Sequence, residues 1–115
     1  MKECKINILG TEWEIEIHSA DEDKNLRDGD AYADWTERKI VIQNPGEMSF
    51  SIALPDVYIK NVLRHEIIHA YLYESGLSGN TFSVNSWADN EEMVDWFARM
   101  VPKMVKTFKD AECMD

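Results

Sequence analysis

The stretch "LPDVYIKNVLRHEIIHAYLYESG", residues 54–76, decides how this chain is read. Pro55 stands where proline opens a helix, and Gly76 stands where glycine closes one. Between them Ile59, Val62, Leu63, Ile67, Ala70 and Tyr71 recur at helical spacing. The segment is therefore expected to be a helix, with His65 and His69 one turn apart on the same face. Glu66 stands beside the first of them. Two imidazoles at i and i+4 can grip one metal ion, and the neighbouring carboxylate can act as general base on a water at that metal. Imidazole suits Zn²⁺, and a catalytic zinc takes three protein ligands and leaves one position for water.

Two histidines alone do not complete such a site. No histidine follows His69. A Gly and a third His just downstream would mark the metzincin pattern. Those positions hold Leu72 and Ser75, which excludes it. The next polar-apolar segment, "NEEMVDWFA", offers Glu91, Glu92 and Asp95. Glu91 and Asp95 are i and i+4 on one helical face. Glu91 can then bind the metal while Asp95 accepts a hydrogen bond from the other nitrogen of a ligand histidine and so orients it. Glu92 is the alternative ligand, and Glu91 is preferred because only it has the i+4 partner. Against it, the stripe of Met93, Trp96, Phe97, Met100, Val101, Met104 and Phe108 centres nearly opposite Glu91. Asp89 with Glu92 is expected to make a capping box for this second helix, and Pro102 to kink or break it.

The first half of the chain alternates with period two. Ile6 and Ile8, then Trp13, Ile15 and Ile17 interleave with polar residues across the break at Gly10-Thr11, as in a half-buried hairpin. "AYADWTERKIVIQNPG" reads as a second hairpin turning near Thr36-Glu37 and stopped by Pro45-Gly46. An acidic loop separates the two. Strands followed by helices imply an α+β class: a small antiparallel sheet packed on the helix that carries the histidines, with a second, C-terminal helix. An edge strand beside the metal cleft is expected to pair with an extended peptide.

The chain is 115 residues long, which suits one domain. Its net charge of −10 repels a phosphate backbone and disfavours nucleic acid and anionic membranes, so a basic peptide or protein is the expected partner. The first ten residues do not read as a signal peptide, and no run is long enough for a membrane span. Cys4 and Cys113 lack metal-binding spacing, and a soluble, cytoplasmic protein with two free thiols is expected.

"VLRHEIIHAYLYESG" followed by "NEEMVDWFARM" resembles the small zincin-like metallopeptidases of the gluzincin kind, the ImmA/IrrE family and related short HExxH proteins of bacteria and phages. The resemblance covers roughly residues 30–105, and it includes the strand "RKIVI" ahead of the motif. It implies a zinc-dependent peptidase with His65, His69 and a downstream Glu as ligands and Glu66 as base. In that family the later helix often reads Glu, three residues, then Asn or Asp, with Ala nearby, and Glu91, Asp95 and Ala98 match. The appended regulatory segments of many relatives have no counterpart here. An inactive zinc-binding regulatory protein is the alternative. Tyr71, Tyr73, Arg99 and His18 are candidates to stabilise an oxyanion, with Tyr71 reading as core, His18 as an exposed strand end and Arg64 as a solvated helix residue.

Overall fold

A computed structural model describes residues 2–48, 53–80 and 87–114. The middle of the Gly-, Ser- and Asn-rich loop, residues 81–86, lies outside them. The elements follow the expected order: β1 (Cys4–Ile8), β2 (Thr11–His18), β3 (Ala31–Asp34), β4 (Lys39–Gln43), α1 (Pro55–Glu74) and α2 (Glu91–Asp110).

Both hairpins form. Leu9 and Gly10 take positive φ angles of 50° and 90°, so β1 and β2 close through a two-residue turn. Such a turn matches the twist of the strands it joins. Asn7 Oδ1 accepts from Gly10 N at 2.9 Å. β3 and β4 are joined through residues 35–38, where Asp34 Oδ1 accepts from Thr36 N at 2.9 Å. That local bond is the reason an Asp at this position starts a turn.

The sheet departs from expectation in one respect. Its order is β1-β2-β4-β3, and β2 pairs with β4 in parallel, Ile15 beside Ile40 and Ile17 beside Ile42. The sheet is mixed rather than antiparallel. β3 begins at the end of the sheet where β2 stops, since Gln43 N donates to Asp30 O and Asn44 N to His18 O. β3 runs back, β4 returns, and β4 is the strand inserted next to β2. The reason is burial. Ile40, Val41 and Ile42 are consecutive and all buried, so β4 is covered on both faces. The "AYAD" strand is only part-buried and takes the edge.

On one face Ile8, Trp13, Ile15, Ile40 and Ile42 form the core with Ala70 of α1, and Val62, Leu63, Ile67 and Tyr73 pack around them. Trp13 is fully buried, and its indole N–H donates to Glu74 at 2.8 Å. Arg38 binds the same carboxylate at 2.8 Å. The C-terminal end of α1 is thereby tied to β2 and to the second hairpin. Gly76, at φ 82°, follows as the left-handed cap.

On the opposite face the acidic loop is anchored. His18 meets Asp23 at 2.7 Å through Nδ1 and Glu16 at 2.8 Å through Nε2, and Tyr32 donates to Asp23. The Asp23 contact foremost holds the His18 imidazole above its ordinary pKa. His18 is the last residue of β2, as expected, but its ring is engaged on both nitrogens rather than solvated.

Helix α2 is capped by Asn90, whose side chain accepts from Met93 N at 2.8 Å. Asp89 lies one residue too early for the expected capping box and instead accepts from Ser78. Pro102 does not break the helix. Proline has no N–H for the carbonyl four residues back, which is that of Ala98. Arg64 of α1 supplies the donor: its Nε reaches Ala98 O at 2.6 Å. Arg64 is therefore a helix-to-helix strut rather than a solvated residue. Arg64→Met is expected to cost about 1–3 kcal/mol by leaving that carbonyl unpaired. In a Pro102→Ala background, where residue 102 regains its N–H, the same change is expected to cost less. Urea unfolding of the four proteins measures this coupling, and equal costs in both backgrounds exclude it.

Cys4 and Cys113 are both free and exposed. Among the described residues no helix is long and apolar enough to cross a membrane. Of the four tryptophans only Trp13 is core; Trp35, Trp87 and Trp96 are exposed, and so is Tyr71.

Candidate metal centre

One flank of α1 carries Tyr58, Asn61 and His65, with Glu66 beside them near the start of β3 and His69 one turn on from His65. α2 approaches it through Val94 and Ala98, both fully buried. Glu91 and Asp95 lie on this same face, at helical spacing from Val94 and Ala98. The large apolar stripe that centres opposite Glu91 is therefore not the packed face. Trp96, Val101 and Phe108 stay exposed and Met93, Phe97, Met100 and Met104 are half-buried, whereas Val94 and Ala98 are fully buried. Small side chains bring the helices close, and the polar contacts set the rotation. Asn61 donates to Asp95 at 3.3 Å, His65 Nδ1 lies 3.4 Å from Asp95 Oδ1, and Arg64 holds Ala98.

This rotation delivers Glu91 to the histidines. His65 Nε2 lies 3.6 Å from one Glu91 oxygen, and His69 Nε2 contacts the other. The imidazoles stand edge to face, 4.9 Å apart. One ligand atom from each of His65, His69 and Glu91 lies within 4.8 Å of the others. Zinc bonds of about 2.1 Å in tetrahedral array set neighbouring ligand atoms about 3.4 Å apart. The cluster is a His2Glu set capable of holding a metal ion, and two imidazoles with one carboxylate are donors that zinc accepts. Glu92, the alternative, points elsewhere, into a recess with Trp87, Met93 and Trp96.

The electrostatics suit a cation. Burial, against the pull of Glu91, lowers the pKa of His69, which favours the neutral imidazole that a metal requires. Asp95 is held below its ordinary pKa, first by Arg99 at 2.7 Å and in part by His65. An ionised Asp95, 3.4 Å from His65 Nδ1, is positioned as an acceptor for that ring nitrogen. Glu91 itself is 72% exposed, so the centre lies at the rim of the molecule rather than inside it.

Glu66 and His69, 8% and 9% exposed, are the buried ionisable groups of the described residues. Nothing among those residues hydrogen-bonds the Glu66 carboxylate. Its burial raises the pKa to about 7, with His65 opposing and Glu91 adding to the rise. A cleft of about 310 Å³ opens in front of it, walled by His65, Asp95, Arg99 and Tyr58 and by Gly29, Asp30 and Ala31 at the start of β3. The expected edge strand is thus β3, and its N-terminal end borders the cleft.

Of the oxyanion candidates, Arg99 lines the cleft, and Tyr73 stacks on His69 with centroids 6.3 Å apart. Tyr71 is exposed, and His18 is committed to Asp23 and Glu16. Tyr58, whose hydroxyl donates to Asp30, is a cleft residue that the motif reading missed. Its position seven residues before His65 was the available signal, since i and i+7 share a helical face.

Compared with protein-family models, with curated proteins and with solved structures, the chain finds no match. The metal-capable cluster therefore rests on this chain's own geometry.

Proposed function

We propose that this chain is a zinc-binding protein of zincin-like design, with His65, His69 and Glu91 as ligands and Asp95 orienting His65, and that it engages a peptide or protein at that centre. The observation that carries this reading is the convergence of three ligand atoms from two helices within 4.8 Å. A bound zinc would supply a Lewis acid and bring the pKa of a water toward neutrality. The reading needs no hydrolysis: an exposed metal centre beside a sheet edge suffices for recognition in a regulatory protein.

A hydrolytic reading goes one step further and rests on Glu66. A buried carboxylate with no hydrogen-bond partner among the described residues and a pKa of about 7 can take and return a proton near neutral pH. Three protein ligands are also the number found at catalytic zinc, whereas structural zinc is closed by four. In this reading β3 aligns an extended peptide, Glu66 takes the proton of the attacking water and passes it to the leaving amine, and Arg99 faces the developing charge.

The ligand set is tested by metal analysis of the purified protein and by zinc competition titration. One zinc per chain is expected. Glu91→Ala should lose most of the affinity, Asp95→Ala about 10- to 100-fold, and Glu92→Ala none. Sensitivity at Glu92 alone would move the ligand by one residue and require α2 to turn by about 100°.

A further inference from the structure

Next to the cleft, the first turns of α1 and the middle of α2 diverge around a second recess of about 830 Å³. Tyr58, Asn61 and Arg99 belong to the walls of both, so the two recesses adjoin. Leu54, Val57 and Met100 make its apolar wall, and Leu54 and Val57 are more than half exposed there. Arg64, Arg99 and Lys103 border it, and among the described residues no carboxylate lines it. The chain as a whole is the reverse, with 22 acidic residues against 12 basic ones.

The charges are also placed to act outward. Arg99 is offset by Asp95. Arg64 is fixed through Nε by a neutral carbonyl, so its charge is not cancelled. Lys103 forms no ion pair among the described residues. The groove therefore keeps about two uncompensated positive charges beside an apolar wall. The acidic surface elsewhere opposes an acidic ligand, but that repulsion is screened over about 8 Å at physiological salt, whereas contact charges in the groove are not.

The geometry points to this groove as the specificity subsite for the peptide: it takes a large apolar side chain flanked by an acidic residue. The inference rests on the proposed peptide-engaging centre for the path of the chain through the cleft. It reverses the expectation of a basic partner, because net charge describes the whole surface and recognition is decided by the few charges in contact. An apolar side chain fills the Leu54, Val57 and Met100 wall, and the neighbouring carboxylate reaches Lys103 and Arg64. A lysine or arginine at that place meets like charge.

The test uses a displayed random octapeptide library selected on the zinc-loaded Glu66→Gln protein, with zinc content measured on the same sample. Enrichment of Asp or Glu next to Leu, Met or Phe is expected. Lys103→Glu should lower retention of those peptides by about fivefold, as expected for one exposed charge pair lost, and shift the enrichment toward Lys and Arg. Lys103→Arg should keep the parent profile, and Val57→Asp should remove the apolar preference. Enrichment of basic peptides, an unchanged profile in Lys103→Glu, or no enrichment would overturn the inference. Failure of the metal reading shows separately, as protein without zinc, while the groove profile remains measurable.

Discussion

His69→Ala is expected to abolish tight zinc binding, and His65→Ala to do the same. Each removes one of the three proposed ligands. The loss should exceed the roughly 10- to 100-fold expected for the orienting carboxylate Asp95. His69 should be the more damaging of the two for the fold as well. It lies beside fully buried Ala70 and stacks on Tyr73, so truncation leaves a void at the edge of the core. Competition titration with a chromophoric chelator gives the affinity, and thermal unfolding with and without zinc separates the two effects. Zinc should raise the melting temperature of the parent, because a ligand that binds only the folded state stabilises it. It should leave both histidine variants unmoved. Parent-like binding in both variants would place the metal elsewhere.

Glu66→Gln is expected to keep zinc and lose peptide hydrolysis by about 10²- to 10⁴-fold. The amide has nearly the shape of the acid, so ligand geometry and the apolar surroundings are preserved while the proton acceptor is gone. Burial raises the carboxylate's pKa to about 7, so replacing it with a neutral amide relieves a desolvated charge. The variant should therefore be at least as stable as the parent around neutral pH and above, where the parent carboxylate must ionise in its buried place. The sign follows from the shift. A carboxylate whose folded pKa is raised loses stability as pH climbs from its ordinary value to the raised one. Cleavage of a peptide library by the parent and not by the variant would establish the hydrolytic reading. Equal cleavage by both would sink Glu66 as base. A parent that binds zinc and a peptide but cleaves nothing in the library would favour the regulatory reading.

The fold was legible where one residue's local chemistry decides an outcome. Gly10 marks the first turn and Thr36-Glu37 the place of the second, Pro55 and Gly76 bracket α1, and the alternation around Trp13 shows which side of β2 faces the core. The parallel neighbour in the sheet was not legible from alternation, which says how a strand is buried but not which strand lies beside it. The available signal was "KIVI" in β4, whose consecutive buried residues need cover on both faces and so belong inside a sheet. The capping residue of α2 was misplaced by one because Asp89 and Asn90 are both good caps, and only the backbone path shows which of them precedes the first turn.

By itself the sequence determined the α+β order of elements, the helix that aligns His65 with His69, and the presence of Glu66 beside them, because all three depend on spacing within one element. The tertiary structure decided what spacing cannot: how α2 is rotated against α1. A helical apolar stripe would turn Trp96, Val101 and Phe108 inward. Instead, close packing at Val94 and Ala98, the Arg64 bond to the carbonyl that Pro102 leaves free, and the Asp95 contacts with Asn61 and His65 turn Glu91 toward the two imidazoles. A hydrophobic stripe is non-directional and tolerates exposure at the rim, whereas hydrogen bonds and ion pairs act only at one distance and angle. Those directional contacts therefore set the rotation.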